Sequence, residues 1–362
     1  MDSSYPVVGA ISPPTPNVLE RITRLGVTVL GALPPRVLSR IAGAPREVDG
    51  QQLEPEVQAA LRVLHSVPGG TFEDLPLDRG RRQIDIEAWQ FGGRPLPVQS
   101  AQDLQVPSGE GFIPARLYLP EGADSETPLA VYFHGGGFVL GSIASHDPVS
   151  RFLSHHARVA VLTVGYRLAP EHPFPAGHED AIAAYAWAAA NVVDLGLAPR
   201  IAVVGDSAGG NLAASVSLAA RDRSLPLPAA QILLSPWLDL ASNRPSRTLF
   251  ADGYFLTADQ LDWYRSQLLE DPSLAVNPHV SPLYAEDVSG LPPALFGYAG
   301  FDPLRDESRA YAARLREAGV EVDEVFLPGH IHPFSNVLGV GRSGKSAILE
   351  IARRLRELTA PR

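Results

Sequence analysis

The sequence IAVVGDSAGGN, residues 201–211, decides the fold of this chain. Its first four residues are apolar and predict a buried strand, and the small residues that continue to Ala220 predict a helix. At such a strand-to-helix turn the two elements approach so closely that only small residues fit at Gly205 and Gly209. The serine between them adopts a strained backbone conformation. We therefore expect Ser207 to present its hydroxyl at the end of a sheet, as a nucleophile does.

A second glycine-rich stretch, HGGGF at residues 134–138, directly follows the apolar run at residues 129–133. Glycines let backbone N–H groups approach a developing negative charge without an intervening side chain, which acyl transfer requires. The spacing matches neither common phosphate-binding loop, GxxxxGK[ST] or GxGxxG, and a plain surface turn is the alternative. We therefore expect backbone N–H groups of this glycine run to line an oxyanion hole.

The acid and the base are expected later in the chain, because this type of site follows the order serine, acid, histidine. Asp302 follows the apolar run at residues 294–299, and His332 follows a later strand-like stretch. Both fall just beyond the carboxyl end of a predicted strand, where ligand sites of open α/β sheets lie. Asp306 and His330 are the alternatives, although Asp306 is better placed to open the helix that follows.

These motifs together resemble the bacterial hormone-sensitive lipase family of α/β-hydrolases, over roughly residues 100–358. The motifs that carry the resemblance are HGGG at 134–137, YRLAPEHPFPA at 166–176, GDSAGGN at 205–211, DPLRDE at 302–307, and His332 before Phe334. The resemblance places the nucleophile at Ser207, the triad acid at Asp302 and the base at His332. It places the oxyanion hole at the N–H groups of Gly135, Gly136, Gly137 and Ala208. One position departs from the family, since Pro333 stands where glycine is usual. Proline removes an N–H and fixes φ, which affects the shape of the base loop.

The resemblance implies an α/β-hydrolase fold with a mostly parallel, doubly wound central sheet, flanking helices and a helical cap. It also implies a carboxylic ester hydrolase that works through a Ser-His-Asp acyl-enzyme mechanism and needs neither metal nor organic cofactor. An amidase or a lactone hydrolase would use the same machinery. A non-catalytic protein that binds small ligands on this scaffold is the other alternative, and the presence of His332 favours the enzyme.

The order of apolar runs and helical segments independently predicts a doubly wound α/β sheet. The predicted strands cover residues 116–119, 129–133, 159–164, 201–204, 231–234, 294–299 and 322–327. The predicted helices of this part cover residues 148–156, 179–191, 210–221, 307–318 and 345–358.

The N-terminal part lacks this alternation and shows helical pieces interrupted by proline. We assign residues 1–85 to an N-terminal helical cap segment and residues 86–362 to the catalytic domain. A second cap insertion is expected at about 237–283, where TADQLDWY at 257–264 predicts an N-capped helix. An amphipathic membrane anchor at residues 18–41 is the alternative for the first piece, but its glycines and prolines argue against it.

The predicted cap closes the substrate pocket from above. We include Phe138, Asp206 and Trp263 among the substrate-binding residues, with Asp206 as a hydrogen-bonding residue rather than a triad member. Further aromatic residues available to fill the pocket are Phe250, Phe255 and Tyr264. Such a short pocket predicts highest rates between butyrate and octanoate esters, without activation at a lipid interface.

The composition restricts the partners and the location. The net charge is −10 with a pI near 5.5, and no basic block is present, which argues against nucleic acid and anionic membranes. The chain has no cysteine, no stretch of about 20 apolar residues and no basic signal-like start. We therefore expect a cytoplasmic protein without a membrane span whose partner is a small-molecule ester, and a homodimer is left open.

Overall fold

The structure is a computed structural model in which residues 14–65, 72–109 and 111–361 are described. Its strands are β1 (Glu47–Val48), β2 (Gln51–Gln52), β3 (Ser100–Ser108), β4 (Gly111–Leu119), β5 (Leu129–Phe133), β6 (Ala160–Val164), β7 (Ile201–Asp206), β8 (Gln231–Leu234), β9 (Ala294–Phe301) and β10 (Val322–Ile331). Its α-helices are α1 (Val18–Ala32), α2 (Pro35–Ala42), α3 (Pro55–Leu64), α4 (Leu77–Phe91), α5 (Asp147–Ala157), α6 (Ala176–Asn191), α7 (Ala208–Asp222), α8 (Pro245–Leu249), α9 (Ala258–Leu268), α10 (Arg305–Glu317) and α11 (Ser343–Leu358).

Eight strands form one sheet in the order β10-β9-β8-β7-β5-β6-β4-β3. Strands β5 to β10 pair in parallel, whereas β4 is antiparallel to both β6 and β3. The chain leaves β5 towards β6 on one side and returns to β7 on the other, so the order reverses at β5. Ligands of open α/β sheets bind at such a switch point, and the two glycine motifs follow β5 and β7.

Helices cover both faces of this sheet, which explains why the central strands are continuous apolar runs. Every residue of β5, β6 and β7 is buried. One face packs against α5 and α11, with Leu153 and Ile351 in its core, and the other packs against α6, α7 and α10, with Leu212 and Tyr311 in its core. The predicted α/β-hydrolase architecture, including all seven predicted strands, is confirmed.

Strand β3 and helix α4 were not predicted, because few of their residues are apolar and buried. Strand β3 has the sequence SAQDLQVPS and pairs only with β4 at the edge of the sheet, so Leu104 and Val106 supply its buried face. Helix α4 has the sequence LDRGRRQIDIEAWQF, in which only Gly80, Ile86 and Gln90 are buried. The predicted division at residue 85 falls inside α4.

The N-terminal helices pack against each other and against the segment that precedes α9. A small core joins Leu53 and Val57 to Phe250, Tyr254 and Ile331, together with Leu61 and Phe301. Helix α1 continues through Gly26 and Gly31, contrary to the expectation that these glycines interrupt it. Among the described residues, no helix is both long and apolar enough to cross a membrane.

The predicted helix near residue 257 is present as α9. The Thr257 side chain accepts a hydrogen bond from the Gln260 N–H at 3.1 Å, and the Gln260 side chain accepts one from the Thr257 N–H at 3.2 Å. This reciprocal pair satisfies two N–H groups that a helix start would otherwise leave unpaired. It fixes where α9 begins and therefore where its aromatic residues lie.

Candidate active site

Ser207 occupies the sharp turn between β7 and α7. Its backbone has φ 55° and ψ −119°, a region that non-glycine residues rarely adopt. The turn is held on both sides, because the Ser207 N–H donates to the Leu234 carbonyl at 2.8 Å and the Trp237 N–H donates to the Ser207 carbonyl at 3.0 Å. The serine therefore sits at the carboxyl end of the sheet, in a conformation that its surroundings enforce.

The two glycines of the GDSAG motif are required by close backbone approach. A Cβ atom on Gly209 would collide with the backbone of Phe133 at the end of β5, and one on Gly205 would collide with the backbone of Gly209. No side-chain movement could relieve either contact, since the colliding atoms belong to the main chain. The helix can therefore approach the sheet this closely only with glycine at both positions.

His332 and Asp302 form a hydrogen-bonded pair beside this turn. The distance from His332 Nδ1 to Asp302 Oδ2 is 2.9 Å, and Asp302 Oδ1 accepts the Leu304 N–H at 2.8 Å. Asp302 is completely buried, and only 9% of His332 is exposed. A carboxylate at Nδ1 favours the tautomer with the proton on that nitrogen, which leaves Nε2 as the basic atom. Both His332 and Ser207 line one cavity.

The two alternative residues are engaged elsewhere. His330 lies 2.8 Å from Ser343 Oγ through its Nε2 and does not line the cavity, and burial lowers its pKa to about 4. Asp306 lies in the first turn of α10 and accepts the Ser246 N–H at 2.9 Å. Neither side chain contacts His332 or Ser207 through a hydrogen bond in the described part of the chain.

The glycine loop presents free N–H groups at two of its three predicted donors. Gly136 and Gly137 have φ values of 115° and 61°, so their conformations favour glycine. No described residue accepts a hydrogen bond from the N–H of either glycine or of Ala208, the first residue of α7. N–H groups at a helix start point outwards and attract negative charge.

The third predicted donor, Gly135, is already occupied. Its N–H points to Asp206 Oδ1 at 3.1 Å and to His146 Nε2 at 3.2 Å. An N–H group that is bonded inside the protein is not available to an oxyanion. We therefore remove Gly135 from the proposed donor set.

The buried Asp206 side chain anchors the glycine loop through the Gly135 N–H. Tyr132 Oη donates to its Oδ1 at 2.7 Å, Asn336 Nδ2 donates to its Oδ2 at 2.8 Å, and His146 Nε2 lies 3.2 Å from Oδ2. Burial alone would raise the pKa of Asp206, but the nearby His146 and these hydrogen bonds hold that pKa well below its usual range. Both oxygens are occupied, so Asp206 lines the cavity without a free atom for substrate.

Sequence reasoning did not identify the partners of this anchor. Tyr132, His146 and Asn336 come from three separate parts of the chain, and no motif marks them. The only available signal was that Tyr132 is the next-to-last residue of the strand that directly precedes the glycine loop. Their convergence depends on the path of the chain between β5 and α11.

The cavity has a volume of about 140 Å³ and mostly apolar walls. An apolar protein cavity of similar size binds benzene. The lining residues are Phe72, Ile84, Glu87, Ala88, Phe91, Gly135, Gly136, Gly137, Ser145, His146, Asp206, Ser207, Leu234, Ser235, Phe255, Leu256, Gln260, Tyr264, His332, Pro333, Asn336 and Val337. Helix α4, which we did not predict from the sequence, supplies a substantial part of this wall.

Two predicted substrate-binding residues do not line the cavity. Phe138 is buried and stacks on His178, with ring centroids 5.3 Å apart. Trp263 packs against Phe72 from outside, at a centroid distance of 5.9 Å, while its neighbour Tyr264 lines the wall. The sequence indicated the correct helix, but the side of α9 that faces the cavity carries Tyr264.

Comparisons with known proteins agree with this architecture. The chain matches the α/β-hydrolase fold family over residues 130–336. It is 41% identical to the carboxylic ester hydrolase LipN of Mycobacterium tuberculosis over 94% of this chain and 93% of LipN. It is 36% identical to the ethyl acetate hydrolase of Pseudomonas putida over 84% of this chain and 99% of that protein.

Solved structures give the same result. A hyperthermophilic esterase from Pyrobaculum calidifontis superposes with a TM-score of 0.79 at 38% identity, over 84% of this chain and 98% of the esterase. An α/β-hydrolase enzyme from the metagenome of Lake Arreo superposes with a TM-score of 0.81 at 38% identity, over 84% of this chain and 98% of that enzyme. This chain therefore belongs to the α/β-hydrolase family. Its resemblance to the esterases of the hormone-sensitive lipase group is confirmed.

Proposed function

We propose that this carboxylesterase hydrolyses short- to medium-chain acyl esters through an acyl-enzyme on Ser207. The observation that carries the proposal is the His332–Asp302 pair, 2.9 Å apart, in the same cavity as a serine held in a strained turn. The names of the relatives support ester rather than amide or lactone hydrolysis. A purely binding function would not require a buried acid to orient the histidine.

In the first half of the proposed reaction, Ser207 Oγ attacks the ester carbonyl while His332 Nε2 accepts its proton. The carbonyl oxygen becomes an oxyanion and accepts hydrogen bonds from the N–H groups of Gly136, Gly137 and Ala208. Asp302 stabilises the positive charge on the imidazole. The carbon–oxygen bond to the alcohol then breaks, and Nε2 returns its proton to the departing alkoxide.

In the second half, water replaces the alcohol. Nε2 of His332 accepts a proton from water as the water oxygen attacks the acyl carbon. The same N–H groups stabilise the second oxyanion, and its collapse releases the carboxylic acid and returns the proton to Ser207 Oγ. Every proton removed is returned within the cycle.

The cavity supports a preference for short acyl chains. Its volume of about 140 Å³ accommodates roughly as many heavy atoms as a butyrate group contains. Each methylene that finds apolar wall contributes about 0.8 kcal/mol, and the gain ends where the wall ends. We expect rates to peak with butyrate to octanoate esters and to decrease with longer chains.

The proposal is tested with p-nitrophenyl esters from acetate to palmitate, combined with labelling by a sulfonyl fluoride and peptide mass spectrometry. We expect a fast initial release of p-nitrophenol, a rate maximum at short to medium chains, and label on Ser207. Label on another serine would overturn the assigned nucleophile. A rate maximum with long-chain emulsions would overturn the proposed chain-length range.

A further inference from the structure

One carboxylate in the active-site cavity has no role in the proposed mechanism. Glu87, on α4, lines the cavity together with Ser207 and His332. Its Oε1 accepts a hydrogen bond from Gln83 Nε2 at 2.8 Å, and no described residue donates a hydrogen bond to its Oε2. Unlike Asp206, whose two oxygens are occupied, Glu87 retains an acceptor atom for another group.

No basic side chain among the described residues forms an ion pair with Glu87. Of the described residues that line the cavity, none is lysine or arginine. Glu87 also borders a neighbouring groove that contains Arg79 and Arg82, but Arg82 pairs with Glu20 at 2.8 Å and neither arginine forms an ion pair with Glu87. Burial raises the pKa of Glu87 because the carboxylate lacks compensating charge.

Aromatic rings surround the same space. Phe72, Phe91, Phe255 and Tyr264 line the cavity, and the ring centroids of Phe72 and Tyr264 lie 5.4 Å apart. The faces of aromatic rings attract cations, and aromatic cages are a common way of binding quaternary ammonium groups. An apolar cavity for a neutral ester would require neither a carboxylate nor this number of rings.

We propose that Glu87 and the surrounding aromatic rings bind an ammonium group of the substrate, so that the preferred esters carry a positive charge. This inference rests on the proposed function, since it names the substrate class of the same site. A cation in the cavity would be paired with the free oxygen of Glu87 and held away from water, where charge interactions are strong. Glu87 is thus assigned as a specificity-determining residue.

The test compares pairs of esters that differ only in a quaternary nitrogen or carbon. In the first pair the charge is on the alcohol: butyrylcholine is the charged ester and 3,3-dimethylbutyl butyrate is its neutral analogue. In the second pair the charge is on the acyl group: the p-nitrophenyl ester of 4-(trimethylammonio)butanoate is charged, and that of 5,5-dimethylhexanoate is its neutral analogue. We expect kcat/KM for the charged ester to exceed that for its neutral analogue by about tenfold in at least one pair, equivalent to about 1.4 kcal/mol.

The variant Glu87→Gln keeps the shape of the side chain and removes its charge. We expect it to abolish the preference for the charged ester of that pair. The matched control is Asp78→Asn, which removes a charge from the exposed surface of the same helix and should leave the preference unchanged.

Three outcomes would overturn the inference. Equal kcat/KM values within both pairs would exclude recognition of a cation. A preference that survives in Glu87→Gln, or that Asp78→Asn also abolishes, would exclude a specific role of Glu87. In these cases hydrolysis of the neutral esters still supports the proposed function. If none of the four esters is hydrolysed, both proposals are overturned.

Discussion

The two halves of the candidate site are held in different ways. The half that contains Ser207 and the glycine loop follows the central strands β5 and β7, and it is anchored from inside by Asp206. The half that contains Asp302 and His332 follows β9 and β10 at one edge of the sheet, where β10 pairs with no sheet strand beyond β9 in the described part of the chain. A central position supplies support from both sides, whereas an edge position requires support from elsewhere.

That support comes from the N-terminal hairpin, which we define as residues 47–54. The Glu54 N–H donates to the Gly329 carbonyl at 2.9 Å, three residues before His332. Asp49 forms an ion pair of 2.8 Å with Arg305, three residues after Asp302. The hairpin therefore contacts the end of β10, just before the proposed base, and the start of α10, just after the proposed acid, although it is distant from both in the sequence.

The two halves of the site should therefore respond to substitutions in different parts of the chain. The nucleophile half lies within the core, where short motifs specify it and Asp206 anchors it, so changes in those motifs or in the partners of Asp206 should disturb it. The acid–base half depends on contacts with a separate segment, so changes in the hairpin should shift the acid–base pair without changing the position of Ser207.

The largest expected effect is that of Ser207→Ala. Removal of the proposed nucleophile should reduce kcat about 10⁶-fold, with residual catalysis from the oxyanion donors. The fold should remain, because the change removes one oxygen atom at a turn held by main-chain hydrogen bonds. Steady-state kinetics with p-nitrophenyl butyrate and circular dichroism measure the two results. Substantial activity in a folded variant would contradict the assignment.

Substitution of His332 and of His330, both near the edge of the sheet, should have very different effects on kcat. His332→Ala should reduce kcat nearly as much as the serine variant, because the proposed general base is lost. His330→Ala should keep kcat within about tenfold, since a general base alone accounts for at least 10²-fold and His330 contacts Ser343 instead. The same assay compares them, and the reverse order would show that the base lies two residues earlier.

Asp206→Asn should destabilise the half of the site that contains Ser207 and the glycine loop. It removes the charge that holds His146 and the glycine loop, and we expect the free energy of unfolding at pH 7 to decrease by about 1–3 kcal/mol. The folded-state pKa of Asp206 is depressed below that of the unfolded chain, about 3.9. Its contribution is therefore complete above about pH 4 and is lost as the pH falls below that value.

Urea unfolding of both proteins between pH 7 and pH 3 measures this dependence. The difference in the free energy of unfolding between wild type and Asp206→Asn should diminish as the pH falls below about 4. The exposed-charge variant Asp78→Asn is the control. A difference that stays constant or grows towards pH 3 would exclude a depressed pKa at Asp206.

The smallest expected effect is that of Asp49→Asn in the hairpin. Asp49 is 45% exposed, so its pair with the buried Arg305 should contribute about 1 kcal/mol or less. We expect kcat to decrease by at most about fivefold with KM unchanged, because the change acts on the segment that follows Asp302 and, through Asp302, on the orientation of His332. The rate of labelling of Ser207 should fall in parallel. Glu47→Gln, an exposed change in the same hairpin, is the control, and an equal effect there would exclude the specific contact.

The sequence by itself determined strands β4 to β10 of the sheet, the family and the positions of the proposed nucleophile, acid and base. These depend on local features that any single chain displays. A buried parallel strand is a continuous apolar run, a close strand-to-helix turn requires small residues, and the chain order of serine, acid and histidine follows from the strand order.

Only the tertiary structure decided which predicted groups face the cavity and what holds them. The occupied N–H of Gly135, the buried position of Phe138 and the outward position of Trp263 depend on the rotation of short segments against their neighbours. The anchor at Asp206 and the free oxygen of Glu87 depend on which distant side chains meet, or fail to meet, at one point. Such encounters are set by packing between separate elements, and no local pattern in the sequence records them.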